Sequence, residues 1–196
     1  MKEKLKILAA ADLHGDLALA MKLSEKASKN EVDLVILAGD INGFVGNGLE
    51  VLEIFKKNNH KVIFVPGNWD TKARHIAMAE KAINIDKAYV NYKGVGIAGI
   101  GTDWSFSLEE SDFEKIGDNF GKMDNRKKIL VSHMHAKDTK AEFSGFSGDK
   151  ILRDVVFKFK PDILIAAHIH EAEGLEDLIG KTKVFQVGRI GKIIEL

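Results

Sequence analysis

The sequence predicts an α/β sandwich made of two βαβ-type halves whose sheets pack together with helices outside. Three observations carry that reading. Apolar runs of strand length alternate with stretches of helical spacing over residues 5–65, and again over 128–167. Most of these runs are apolar almost throughout, the pattern of strands covered on both faces. Where the runs stop, an oxygen or nitrogen donor follows: Asp12-Leu13-His14, Gly39-Asp40, Gly67-Asn68, His133, and His168-Ile169-His170.

The elements follow in order. Residues 5–11 have a strand's length. Residues 17–29 then place Leu17, Ala20, Met21, Leu23 and Ala27 at helical spacing, with Asp16 as the expected N-cap. A second strand is expected at 32–38, a helix at 49–57, and a third strand at 61–65, closed by Pro66-Gly67. Crossovers of this length suit parallel, right-handed units, and ligands in such sheets collect beyond the carboxyl ends of the strands. Asp12, His14, Asp40 and Asn68 all fall at that edge.

Residues 71–82 read as a helix, and 88–92 with 95–100 as a hairpin around Lys93-Gly94. A helix broken near Gly117 is expected within 108–123, then a strand at 128–132 that His133 terminates. The polar stretch 135–148 reads as a loop over the same edge. A helix at 150–159, closed by Pro161, leads to a buried strand at 162–167. Residues 183–187 and 192–196 are expected to form a final antiparallel pair.

Composition bounds the chemistry. The 196 residues fit one domain, 1–196, with an ordinary globular balance of 45% apolar and 30% charged residues. Lys plus Arg and Asp plus Glu both total 29, so neither a long nucleic-acid footprint nor a polybasic membrane patch is expected. There is no cysteine, so a metal must take His, Asp, Asn or backbone ligands. The start, Met1-Lys-Glu-Lys-Leu-Lys, lacks a signal peptide's apolar core, and no window approaches a membrane span, so a cytoplasmic location is expected.

Two divalent cations about 3.5–4 Å apart need several ligands and one carboxylate that bridges both. The chain offers Asp12, His14, Asp40, Asn68, His133, His168 and His170. Mixed imidazole and oxygen donors favour manganese, iron, zinc or nickel over calcium or an all-oxygen magnesium site.

The ordered set Asp-x-His, Gly-Asp, Gly-Asn, His and His-x-His resembles the calcineurin-like metallophosphoesterase superfamily from Asp12 to His170. Pro66-Gly-Asn-Trp-Asp-Thr71, the Gly-rich 94–101, and His168-Ile-His-Glu171 followed by Gly174 and Ile179-Gly-Lys-Thr182 are similar to its Icc-related predicted phosphoesterase branch. The resemblance implies a four-layer αββα sandwich and two divalent transition-metal ions, manganese foremost. One ion would be held by Asp12, His14, Asp40 and His170, the other by Asp40, Asn68, His133 and His168, with Asp40 as the bridge. It implies hydrolysis of a small phosphate ester, a nucleotide among the candidates, by metal-activated hydroxide, with Asp40, Asn68 and His133 as catalytic residues.

Trp69 stands where many members carry a histidine near the leaving group. General acid catalysis is typically worth about 10²–10⁴-fold, so this departure favours a phosphodiester with a good leaving group over a monoester. It is also the one feature that favours the alternative, a catalytically weak scaffold of this fold that binds a partner protein. The closing motif has Ala167 where the family has glycine, and Met134-His135 replaces the usual proline after the fifth element.

The remaining polar residues read as structural. Asp70 is expected beside the site or at the next helix cap, and His135 as a solvent-exposed loop residue or a neighbour of the metal ligands. His60, His75, Arg189 and Lys192 are expected on the solvated surface. Trp69 either packs beside the site or stacks on substrate. Gly94-Val-Gly-Ile-Ala-Gly99 spells a dinucleotide fingerprint, but no helix opens there, so strand packing is expected. Residues 101–125 and 135–148 are expected to shape specificity.

Overall fold

The computed structural model describes residues 4–44, 46–102, 105, 107–124 and 127–196. The first half runs β1 (Lys6–Ala10), α1 (Leu17–Lys29), β2 (Leu34–Ala38), α2 (Gly48–Lys57), β3 (Val62–Val65), α3 (Lys72–Met78) and β4 (Ile83–Asn84). The second runs β5 (Tyr89–Tyr92), β6 (Val95–Ile100), α4 (Glu110–Lys122), β7 (Lys127–Ser132), α5 (Lys150–Phe159), β8 (Ile163–Ala166), β9 (Glu176–Ile179), β10 (Thr182–Gln186) and β11 (Lys192–Glu195).

One sheet has the order β11-β1-β2-β3-β4 and the other β5-β6-β7-β8-β10-β9. The strands β1 to β4 are parallel, as are β6, β7, β8 and β10, so each sheet gathers its central C-terminal ends on one edge. Side-chain alternation explains the uniformly apolar runs. Ile7, Ala9, Leu34, Ile36, Ile63 and Val65 face Ile97, Ile129, Val131, Ile163 and Ile165 across the interior of the sandwich. Leu8, Val35, Leu37 and Phe64 point the other way, onto α1 and α2 through Leu23, Val51, Leu52 and Phe55. Leu130, Leu164 and Val184 likewise meet Ile116, Phe120, Leu152 and Val156 of α4 and α5. The result is four layers, helix–sheet–sheet–helix.

Local chemistry sets the helix starts. Asp16 caps α1 by accepting from Leu19 N at 3.0 Å, and Asp149 caps α5 by accepting from Leu152 N at 2.7 Å. Glu109 and Asp112 form a reciprocal capping box at α4.

Four expectations need correction. The helix expected over 71–82 stops at Met78, and residues 83–84 pair with β3 as an added parallel strand. Helix α4 runs unbroken through Gly117, where a Cβ would lie 2.8 Å from Phe159 Cζ, so that glycine permits close helix packing instead of a break. The last two strands do not pair with each other. β10 lies between β8 and β9, whereas β11 crosses to the other sheet and runs antiparallel to β1. Finally, β9 is an addition to the expected elements; two of its four residues are acidic, so it lacks a strand's apolar signature.

Asp33 fastens the two sheets at the edge away from the donors. Its carboxylate accepts from Lys6 N at 2.9 Å and from Lys93 Nζ at 2.6 Å, while its carbonyl accepts from Tyr92 Oη at 3.0 Å. Among the described residues no helix is long and apolar enough to cross a membrane.

Two stability outcomes follow. Phe55 is fully buried between α2 and the first sheet, so Phe55→Ala is expected to cost about 3–5 kcal/mol in urea denaturation. The bonds from Lys93 and Lys6 N hold the Asp33 carboxyl below its ordinary 3.8. Its contribution is therefore present above that value and lost as pH falls through the lower folded one. Asp33→Asn is expected to cost under about 1 kcal/mol at neutral pH, with the difference fading in acid; equal losses at pH 7 and pH 3 would contradict this.

Candidate metal centre

The donor loops begin with unusual backbone. Asp12, His14, Asp40 and His168 have φ of 56°, 48°, 50° and 75°, in the left-handed region that L-residues avoid. Such strain costs about 1–3 kcal/mol per residue and persists only where surroundings over-determine it. Here they do. Asp12 N bonds to Gly39 O at 3.1 Å, His14 N to Asp40 O at 2.9 Å and Gly15 N to Ile41 O at 2.9 Å, so the loops after β1 and β2 stay paired beyond the strand ends.

All seven donors expected from the sequence converge on this edge. His14 Nε2 and His170 Nε2 face each other at 3.4 Å, and His170 Nε2 lies 3.6 Å from Asp12 Oδ1. His133 Nε2 lies 3.0 Å from Asn68 Oδ1, 3.2 Å from His168 Nδ1 and 3.5 Å from Asp40 Oδ2. Asp40 Oδ2 is also 3.8 Å from His14 Nε2, so one carboxylate oxygen lies between the two groups. Its Oδ1 is engaged by Trp69 N at 2.8 Å. Candidate ligand atoms of Asp12, His14 and His170 lie within 4.8 Å of one another, as do those of Asp12, Asp40 and His133.

These residues suit a cation. Asp12 is buried, yet its Oδ1 finds no hydrogen-bond partner among the described residues. A buried carboxylate oxygen without a donor is costly, and imidazole nitrogens turned toward it offer the ligand types that borderline divalent metals prefer. His133 Nδ1 donates to Ala38 O at 2.8 Å, which leaves Nε2 as the atom facing Asp40, Asn68 and His168.

The electrostatics express the same crowding. Burial opposes protonation of His133, but Asp40, Asp12 and the Ala38 carbonyl outweigh it and raise the imidazole to about 9. Burial, followed by the charge on His133, pushes His168 down to about 4. Burial also lowers His14 against the pull of Asp40 and Asp12, whereas the Asp12 carboxylate, 3.6 Å from its Nε2, raises His170. Burial works against ionisation of Asp40, yet His133 and Trp69 N hold its carboxyl below the usual range.

Close packing fixes the donors. A Cβ on Gly39 would lie 2.4 Å from His133 Nδ1, and one on Gly67 would lie 2.2 Å from Asp40 Oδ1. Asp70 sits beside the candidate ligands, not at the helix cap, which falls at Thr71. Its buried carboxylate accepts from Gly67 N, Ile41 N, Asn42 N and Asn42 Nδ2 at 2.8–3.2 Å, tying the loop after β2 to that after β3. Asn42, which the sequence reading passed over, completes the tie by accepting from Gly48 N at 3.0 Å. Its only sequence signal was its place two residues after Asp40.

Other expectations change. His135 is buried; its Nε2 donates to Phe146 O at 3.2 Å, holding the 141–148 loop, and its Nδ1 lacks a partner among the described residues. Arg189 is half-exposed but not free, bonding to Asp12 O at 3.3 Å and Asp16 Oδ2 at 2.7 Å. His75 is only partly exposed and turns a buried Nδ1 into the protein. Trp69, half-buried, sets its ring edge-on to His14 at 5.7 Å.

The donors open into a cleft of 430 Å³ lined by His14, Asp40, Phe44, Asn68, Trp69, His168 and His170. Beyond Asn68 lies a cavity of 640 Å³, whose lining includes His75, Asp86, Lys87 and Thr102. Of the 101–125 stretch expected to shape specificity, residues 103, 104, 106 and 125 lie outside the described residues.

A protein-family model described as calcineurin-like phosphoesterase matches residues 5–172. The chain is 31% identical over 198 residues to uncharacterized protein MJ1162 of Methanocaldococcus jannaschii, covering 94% of this chain and 88% of that one. Its fold is similar to that of TT1561 of Thermus thermophilus, with a TM-score of 0.75 at 16% identity over 99% of both chains. It is also similar to that of a dimetal phosphatase from Danio rerio, with a TM-score of 0.65 at 12% identity over 95% of this chain and 88% of the other.

Gly39 provides the local test. Gly39→Ala combines a φ of 92° with a Cβ that collides with His133. It is expected to cost about 1–3 kcal/mol in denaturant unfolding and to remove the downfield His133 Nδ1–H resonance from the proton spectrum. Retention of that resonance at unchanged stability would refute the packing argument.

Proposed function

The chain belongs to the calcineurin-like phosphoesterase family, and from that premise we propose that it hydrolyses a phosphate ester, a phosphodiester in preference to a monoester, at a centre of two divalent transition-metal ions. The observation that carries this reading is the position of Asp40 Oδ2, 3.8 Å from His14 Nε2 and 3.5 Å from His133 Nε2. One carboxylate oxygen within reach of two groups of ligands is what a bridged pair of cations requires.

Asp12, His14, Asp40 and His170 would hold one ion, and Asp40, Asn68, His133 and His168 the other. Manganese is the first choice, with iron, zinc or nickel compatible with the same donors. When bound, such a pair polarises phosphoryl oxygens and makes a water molecule acidic enough to attack near neutral pH.

The remaining work belongs to the chain's own groups. Trp69 N–H holds Asp40 Oδ1, which leaves Oδ2 directed at the imidazoles. The Ala38 carbonyl holds His133 Nδ1–H, so Nε2, protonated near neutral pH without metal, is the nitrogen that would exchange its proton for a cation. Asp12 and Asp40 are both buried, which keeps competing water from their carboxylates and strengthens their hold on charge. The Trp69 indole cannot serve as a general acid near neutral pH, and this favours diesters whose leaving groups depart without protonation. We treat 1–196 as one functional unit, because both sheets contribute donors. A scaffold without chemistry would have no use for seven convergent donors, which argues for the enzyme.

The test compares wild type with Asp40→Ala in metal content and in manganese-dependent turnover of bis-p-nitrophenyl phosphate. Residues that merely support metal ligands are worth about 10–100-fold, so removing the bridge is expected to lower activity by more than about 100-fold and to lower the bound metal. Metal binding without turnover of any phosphate ester by wild type would favour the scaffold. Full activity in Asp40→Ala would sink the assignment.

A further inference from the structure

Phe44 is unexplained by anything above. It is 86% exposed, more than any other large apolar residue among those described, yet it lines the cleft that holds His14, Asp40, Asn68, His168 and His170. Its backbone carbonyl and that of Gly43 are both held by hydrogen bonds. Gly43 N bonds to Gly46 O at 3.0 Å and Gly46 N to Gly43 O at 3.1 Å. Arg74 reaches from α3 to Gly43 O at 3.1 Å and Phe44 O at 3.5 Å. A Cβ on Gly43 would lie 2.1 Å from His14 O, so the loop is pressed directly against the strand end that carries two of the donors. A phenyl group left in water gains nothing for folding, and here it stands at the edge of the cleft that holds the candidate metal ligands. Trp69 supplies a second aromatic to the same cleft.

We propose that Phe44 determines specificity: together with Trp69 it receives a planar aromatic ring attached to the phosphate, so the preferred ester carries an aryl or heteroaryl group within a few bonds of phosphorus. This rests on the phosphoesterase reading and deepens it. Arg74 is the positioning residue, acting through the carbonyls it holds.

The test is calorimetric titration of the manganese-loaded protein with inorganic phosphate, methylphosphonate and phenylphosphonate, whose P–C bonds resist hydrolysis. Wild type is expected to prefer phenylphosphonate over methylphosphonate by about tenfold, the scale of one stacked ring. Phe44→Ala is expected to bring that ratio close to one, and Phe44→Trp to restore it. Phe143→Ala, which removes a 65%-exposed phenyl outside this cleft, should leave the ratio at the wild-type value.

A wild-type ratio near one, or a ratio unchanged in Phe44→Ala, overturns the proposal. So does an equal weakening of both phosphonates, which would mark Phe44 as structural. A Phe44→Ala protein with altered solution mass and an intact ratio would assign the phenyl to contact with a second copy instead. Failure of wild type to bind inorganic phosphate would defeat the phosphoesterase reading, and the specificity claim with it; phosphate binding without aryl preference defeats the specificity claim alone.

Discussion

The hydrogen bond from His133 Nδ1 to the Ala38 carbonyl is the interaction on which the site depends. It joins the end of β7 in one sheet to the end of β2 in the other, and so sets the spacing of the two donor sets. A carbonyl only accepts, so the bond also keeps a proton on Nδ1 and turns Nε2 toward the other donors. Because the ring is buried against the β2 terminus, the residue after Ala38 must have no side chain, and it is Gly39. One contact therefore dictates a ring orientation, a glycine and the register between the sheets.

Around it the loops are stiffened by groups that need not touch a ligand or a metal. The Asp70 carboxylate collects donors from the Asp40 loop and the Asn68 loop, so neither can move without breaking several buried bonds. This is the surrounding that can hold left-handed backbone at Asp12, His14, Asp40 and His168, each of which costs about 1–3 kcal/mol on its own. The energy comes from elsewhere: the interior between the sheets and the two helix-facing layers bury nearly every apolar strand side chain. A stable sandwich carries a strained edge.

Much of that was legible in the sequence, for a local reason. A strand covered on both faces needs uninterrupted apolar residues, and the first donor after such a run must emerge at the sheet edge, so Asp12, Asp40, Asn68, His133 and His168 could be placed from their neighbours alone. Helix α1 was readable from its spacing and the Asp16 cap, and α5 from its spacing and the closing Pro161; the Asp149 cap was not read. What failed was non-local. Whether β11 pairs with β10 or crosses to β1 depends on which edge is open, which no short window contains. Gly117 looked like a break because its reason for being glycine, the Phe159 ring, lies on another helix. The burial of His135 and the bonds of Arg189 depend on a loop and a strand crossing that fold over them.

Position 69 separates two demands that the sequence could not. Its backbone N–H serves Asp40, and any residue but proline supplies that bond equally. Its side chain enters the cleft instead, where an indole replaces the imidazole that many members of the family carry. The candidate metal ligands are thus left unchanged by a difference confined to the side chain that lines the cleft. Phe44 follows the same division, since its carbonyl is held by Arg74 while its ring remains in the open. Where backbone secures the candidate ligands and only side chains line the cleft, the cleft's chemistry can change without touching the strained, tightly bonded edge that carries the donors.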